Sequence, residues 1–258
     1  MQSLVSIISD WKNHDYYLPL LKGALLAISD RIRILDISHN IPTFDYQRAG
    51  FVLKSAHKLL PEGSIHLIAV NTEANSEYPY AIVKHKNHYF IGVDNGIFGI
   101  IFDSKPDLVI HCDEPEIYFP SFPCLSVYPN LVNFILNDGD ISELGDEMED
   151  VFRKTEIQPI VELGSITGNI LYIDSYNNGI TNINRKIFEK HVGDKSFDIY
   201  INSTYNHVKK ICKTYDEAPI GELLVLFNSL DLLEIAVRND DAASLLNLDK
   251  KSYIKINF

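Results

Sequence analysis

The sequence predicts an α/β N-terminal domain with a mostly parallel central sheet over residues 1–155. A smaller all-β, barrel-like C-terminal domain follows over residues 160–258. Three observations carry this. Short apolar runs alternate with helix-length amphipathic runs through the first half. An acidic, turn-rich stretch at 138–150 interrupts the pattern, placing the boundary near 155–165. The second half then turns to short apolar runs punctuated by Gly and Asn, as in small barrels and sandwiches. A chain of 258 residues can bury a core in either arrangement.

Element by element, Leu4–Ile8 is an apolar strand ending at Ser9-Asp10, and Leu18–Ile28 is long enough for a helix, with Pro19 tolerated in its first turn. Arg33–Ser38 is a second strand. Phe44–Leu60 has apolar residues at helical spacing and stops at Pro61-Glu62-Gly63. Ser64–Val70 is a third strand. Tyr80–Val83 and Tyr89–Val93 flank a polar turn and read as a hairpin, followed by the turn signal Asp94-Asn95-Gly96. Asn130–Leu136 begins a further helix, and 138–150 reads as a solvated linker or surface helix. Beyond it, Gly164–Asp174, Asp198–Ile201, Gly221–Phe227, Leu232–Val237 and Tyr253–Ile256 read as strands.

Composition removes several classes. Lys and Arg total 23 against 35 Asp and Glu, a formal net charge of −12. Without a basic field, nucleic acid is not an expected partner. No run approaches the 18 apolar residues of a membrane span, and the opening MQSLVSIISDWKNHD lacks the features of a secretory signal, so a cytoplasmic location is expected. Cys112, Cys124 and Cys212 form no CxxC or Cys/His cluster, which argues against a disulfide framework and a zinc site.

Asp10 closes the first strand, at the strand end where open α/β sheets bind ligands; its carboxylate can accept both hydroxyls of a ribose, or it can cap the next helix. Neither GxGxxG nor GxxxxGK[ST] occurs. His39 follows the second strand as a catalytic or structural imidazole. Cys124 has no basic neighbour in sequence to activate it and reads as a buried thiol. His85, His88 and His111 have no metal-site spacing. The polar run Asp174–Ile183 is either an Asn/Gly turn or a purine-reading amide loop.

In order, these signals resemble one family. Ser9-Asp10-Trp11 through Lys22-Gly23 resembles a TDFG…D…KG opening. Asp36–Pro42 resembles D-I-S-H-x-I-P, Val93–Gly96 resembles PDNG, and Asp174–Ile183 resembles D-x-F-G-N-x-x-T-N-I. The segment from Asn228-Ser229 to Ala243 resembles NS…LEIA…N-AA. The chain is therefore similar to the S-adenosyl-L-methionine (SAM) hydroxide adenosyltransferases, the family that includes the fluorinase and chlorinase. The resemblance implies the two-domain fold, a homotrimer with sites at subunit interfaces, and an adenosyl ligand. It implies attack at the ribose C5′ with methionine leaving, or adenosyl binding without turnover, or transfer to a different nucleophile. SAM is then substrate or ligand, and no metal or other cofactor is expected.

Carried over by position, Asp10 holds the ribose hydroxyls, Phe44 lines the sugar or sulfonium side, Asp174 takes the methionine ammonium, Asn178 reads adenine, Ser229 holds the carboxylate and Ala242 lies by the adenine. The family's water-positioning Asp, Arg and His fall at Asn71, Tyr78 and Pro123, so the resemblance implies that all three are replaced. Cys124 stands where the halogenases keep a small residue beside the halide, which argues against halogenation.

Overall fold

The computed structural model describes residues 3–113, 116–154 and 158–258, and the chain divides into two compact units, Met1–Thr155 and Glu156–Phe258. Residues 155–157, where the expected boundary begins, lie outside the described residues.

In the first unit, β1 (Ser3–Ser9), α1 (Tyr17–Ile28), β2 (Ile32–Ser38), α2 (Tyr46–Ala56) and β3 (Ile65–Ala69) alternate. Then come β4 (Tyr80–His85), β5 (His88–Val93), α3 (Ile97–Ile101), β6 (Leu108–Cys112), α4 (Cys124–Leu136) and β7 (Gly145–Glu147). The sheet order is β2-β1-β3-β5-β4-β6-β7. The expected mostly parallel sheet is in fact mixed: the β2-β1, β1-β3 and β3-β5 pairs are parallel, and β5-β4, β4-β6 and β6-β7 are antiparallel. The reason is the hairpin, which reverses the chain without a crossover helix. Part of the acidic stretch expected to be solvated supplies the edge strand β7.

One row of side chains crosses the sheet in register, from Ile7 through Leu67, Ile91 and Ile82 to Ile110. All five are buried and face α1 and α4. Ile8, Ile68, Phe90, Val83 and Val109 belong to the opposite layer with α2 and α3. At Gly50 a Cβ would stand 2.9 Å from Ile100, so the α2–α3 approach depends on a residue without a side chain. Helix α4 starts at Cys124, earlier than the expected Asn130, and carries Pro129 inside. The helix forms there because Cys124, Val127 and Tyr128 bury against the sheet, and that packing outweighs one missing backbone donor.

The second unit contains β8 (Ile160–Glu162), β9 (Ser165–Ile173), β10 (Gly179–Asn184), α5 (Arg185–His191), β11 (Asp198–Ile201) and β12 (Ser203–Val208). It ends with β13 (Leu223–Phe227), β14 (Leu232–Val237), α6 (Ala242–Leu245) and β15 (Tyr253–Asn257). All its strand pairs are antiparallel, in the order β12-β11-β15-β9-β10-β14-β13, with β8 also on β9. Past β12, the Cys212 amide donates to Val225 of β13 at 2.8 Å, bringing the two ends of the sheet together as a nearly closed barrel. Ile166, Ile183, Ile199, Ile235, Ile254 and Ile256 fill the interior.

Candidate functional site

Strand β1 lies between β2 and β3, so the chain leaves it on one side and returns on the other. Ligands of open α/β sheets collect at the carboxyl ends of strands flanking such a reversal. Asp10 sits there, 9% exposed. Its Oδ2 accepts from the Phe44 amide at 2.8 Å. It does not cap α1, whose N-cap residue is Tyr16. Phe44 itself takes the left-handed region (φ 62) and is 67% exposed. The next residue, Asp45, caps α2 by accepting from the Arg48 amide, which is why the helix begins at Tyr46 and not at Phe44.

Beneath Asp10, Ser9 Oγ and His39 Nδ1 are 2.7 Å apart, both buried. His39 Nε2 stands 3.0 Å from Asp36 Oδ1 without hydrogen-bond alignment, and Asp36 Oδ2 accepts from Lys22 Nζ at 2.7 Å. Burial opposes ionisation of Asp36, but Lys22 and His39 outweigh it and hold the carboxyl below its usual value. His39 is therefore a buried strut between the β1 and β2 ends.

At the end of β3, Asn71 takes φ 51, a conformation Asn tolerates better than most side chains. Its carbonyl accepts from Asn95 Nδ2 at 3.4 Å, and the Thr72 carbonyl from Tyr80 Oη at 2.9 Å. The Glu77 and Tyr78 amides both donate to Asn75 Oδ1 at 2.9 Å, folding 75–78 into a turn. Tyr78 meets Phe152 edge-on at 5.5 Å. Its hydroxyl is held above the usual phenol value, first by its hydrogen bond with Glu77. Pro123 is the N-cap residue of α4, and Cys124 follows fully buried. Burial pushes the Cys124 thiol up to about 12 against a hydrogen bond with Thr72, so it is a protonated thiol at neutral pH.

One cation enters this face from far along the chain. Lys154 Nζ donates to Tyr46 Oη at 3.0 Å, lies 4.4 Å from the centroid of that ring and 6.0 Å from that of Tyr78. Its stem passes Gly96 so closely that a Cβ there would stand 3.1 Å from it. Sequence reading misses Lys154 because 108 residues separate it from Tyr46.

In the second unit, Asp174 Oδ1 accepts from the Tyr176 and Asn178 amides at 2.9 and 2.8 Å, and Oδ2 from Asn178 Nδ2 at 3.4 Å. This tight turn joins β9 to β10, so half of the expected polar loop is strand. The Asn177 carbonyl accepts from Ala243, tying the turn to the start of α6, where Ala242 is buried. Ser229 lies in the β13–β14 turn, near the other end of β10: Gly179 pairs with Ile235, whereas Asn184 pairs with Leu232. Between them Glu234 is buried, accepting from Tyr215 Oη at 2.6 Å and Asn228 Nδ2 at 3.1 Å, a polar pair local spacing does not reveal.

Among the described residues no group of three or more His, Cys, Asp or Glu side chains is placed to hold a metal, and no helix is long and apolar enough to cross a membrane.

The family models for the N-terminal and C-terminal domains of the SAM hydroxide adenosyltransferases match residues 5–145 and 168–255. The chain belongs to the SAM hydroxide adenosyltransferase family. It is 29% identical to the (R)-S-adenosyl-L-methionine hydrolase of Methanocaldococcus jannaschii, across 98% of this chain and 95% of that one. It is 24% identical to the enzyme of the same name from Thermus thermophilus, across 98% of each. An uncharacterised conserved protein of Thermotoga maritima shares the fold with a TM-score of 0.87 at 23% identity, covering 98% of this chain and all of the other.

Proposed function

We propose that this member of the family binds SAM and cleaves it with water at the ribose C5′, giving adenosine and methionine. The observation that carries this reading is the buried Asp10 carboxylate at the β1/β3 reversal, in a chain matched to the family through both units. The water oxygen bonds to C5′ as the C5′–S bond breaks, sulfur keeps the electron pair as a neutral thioether, and the water's proton passes to solvent. A neutral leaving group needs no general acid. The protein's work is in-line placement and exclusion of bulk water, with no metal or further cofactor.

In this reading Asp10 accepts from the ribose hydroxyls, Phe44 lies against the sugar or sulfonium, and Asn71 and Tyr78 border the attacking water. Asp174 receives the methionine ammonium, Ser229 the carboxylate and Asn178 the adenine edge, with Ala242 beside the base. The chain works as a cytoplasmic homotrimer in which the first unit of one chain meets the second unit of a neighbour around each ligand.

A second reading, SAM or adenosine binding without turnover, is favoured by one observation. Asn71, Tyr78, Pro123 and the Cys124 thiol, pushed up to about 12, offer no base near neutral pH. Purified protein incubated with SAM and chromatographed for adenosine decides between them. Adenosine above the blank supports cleavage. No adenosine, with SAM affinity measurable by calorimetry, supports binding alone. No affinity overturns both.

A further inference from the structure

We propose that Lys154 is a further anion-binding group of this site and contacts an anionic oxygen of the bound reactants, either the carboxylate of the ligand's amino-acid tail, beside Ser229, or the hydroxide that the attacking water becomes as its proton passes to solvent. The inference rests on the adenosyl reading of the site and assigns a residue which that reading leaves out. Two other charged side chains of this unit, Lys12 and Asp94, are committed elsewhere. Lys12 donates to the Ile41 carbonyl at 3.0 Å. Asp94 is buried, accepting from the Phe152 amide at 3.0 Å and paired with His111 at 2.9 Å. Lys154 has no carboxylate within ion-pair distance among the described residues, although the chain carries 35 acidic side chains.

Its ammonium is nonetheless held in place. Tyr46 takes one of its three donors and presents a ring face below it, Tyr78 presents a second ring, and the side-chain-free Gly96 accommodates the stem. Attraction to ring faces orients a cation without neutralising it. Two donors remain for a ligand. The position is also apt. Gly96 follows Asn95, which holds the Asn71 carbonyl, and Tyr46 starts the helix behind Phe44, whose amide is bonded to Asp10. The face therefore carries a carboxylate for neutral hydroxyls and an ammonium suited to a negatively charged oxygen.

The test is Lys154→Gln against wild type, with SAM and adenosine as probes in calorimetry and adenosine release followed by chromatography. Lys154 is exposed, so the variant keeps the fold. If the partner is the tail carboxylate, SAM affinity falls about 10–100-fold while adenosine affinity holds, as expected for losing one charge-assisted hydrogen bond. If the partner is the hydroxide, both affinities hold and the release rate falls by a similar factor. Lys154→Arg restores part of either loss, and Tyr46→Phe, which removes the oxygen that holds the ammonium, gives a smaller loss of the same kind. Affinities and rate all unchanged in Lys154→Gln overturn the inference and leave the adenosyl reading standing. Failure of the wild type to bind either probe overturns the reading, and the inference with it.

Discussion

Lowering the pH should destabilise the first unit through His66. This imidazole is fully buried between Ser6 Oγ at 2.7 Å and His88 Nδ1 at 3.0 Å, stacked on His88 and edge-on to His57. Burial, with His88 and His57 adding to it, pushes its pKa down to about 3 from an ordinary 6.5. The folded chain thus keeps His66 neutral where the unfolded chain protonates it. The stability difference is absent above about pH 6.5 and grows as pH falls towards 3. One such group removes about 1.4 kcal/mol per pH unit in that window, hence about 2 kcal/mol between pH 6.5 and 5. His57, His85 and His88 are all lowered, chiefly by burial, and act in the same direction. Urea titrations at pH 7 and pH 5 on wild type and His66→Gln measure the effect. The wild type should lose about 2 kcal/mol more than the variant over that interval, since the other histidines titrate in both. Equal losses would refute the argument, as would an imidazole NMR shift showing His66 charged at pH 5 in the folded protein.

Removing the Asp10 carboxylate in Asp10→Ala should weaken SAM and adenosine binding by about 1.5–3 kcal/mol for each charge-assisted bond lost; unchanged affinity in calorimetry would leave Asp10 only its Phe44 bond. Asn71→Asp, Tyr78→Arg and Pro123→His made together should raise SAM hydrolysis by about 10²–10⁴-fold, the usual worth of general-base assistance, while single changes do little; a parent already as fast as the restored variant would refute this. Light scattering at micromolar concentration should return the mass of three chains, and adenosyl ligand should raise the thermal midpoint by favouring the assembled form. A monomeric mass would overturn the shared-site proposal.

Legibility in the sequence followed what each segment buries. The β1, β2 and β3 strands read directly, because their apolar runs stand alone between helix-length segments. Helix α4 was hidden by Pro129, whose missing donor is outweighed by the packing of Cys124, Val127 and Tyr128. Strand β10 was hidden among Asn and Thr, since only Ile180 and Ile183 mark a segment whose polar Thr181 and Asn182 are also buried. At the site, the importance of Asp10 was visible from its place at a strand end, but its link to Phe44 spans 34 residues. The histidine ladder, spread from position 57 to 88, has no local signature. The register of β3 against β5, pairing His66 with Phe90, sets His66 near His88.

The Asp94 carboxylate bears on where the first unit can be cut. Both its oxygens receive the Phe152 amide, Val151 is buried beside Phe98, and Arg153 donates to the carbonyls of Phe102 and Ser104. The matched N-terminal region stops at residue 145, before all three. A chain ended there would keep every long strand and helix of the unit, yet leave a buried carboxylate with only His111 for company and open a gap in the α2–α3 layer. Taking a hydrogen-bond donor from a buried polar group costs about 1–3 kcal/mol, a sizeable share of a domain's whole margin. The short segment through Lys154 is thus the clasp of this unit, and a self-standing version of it must run past the last matched residue.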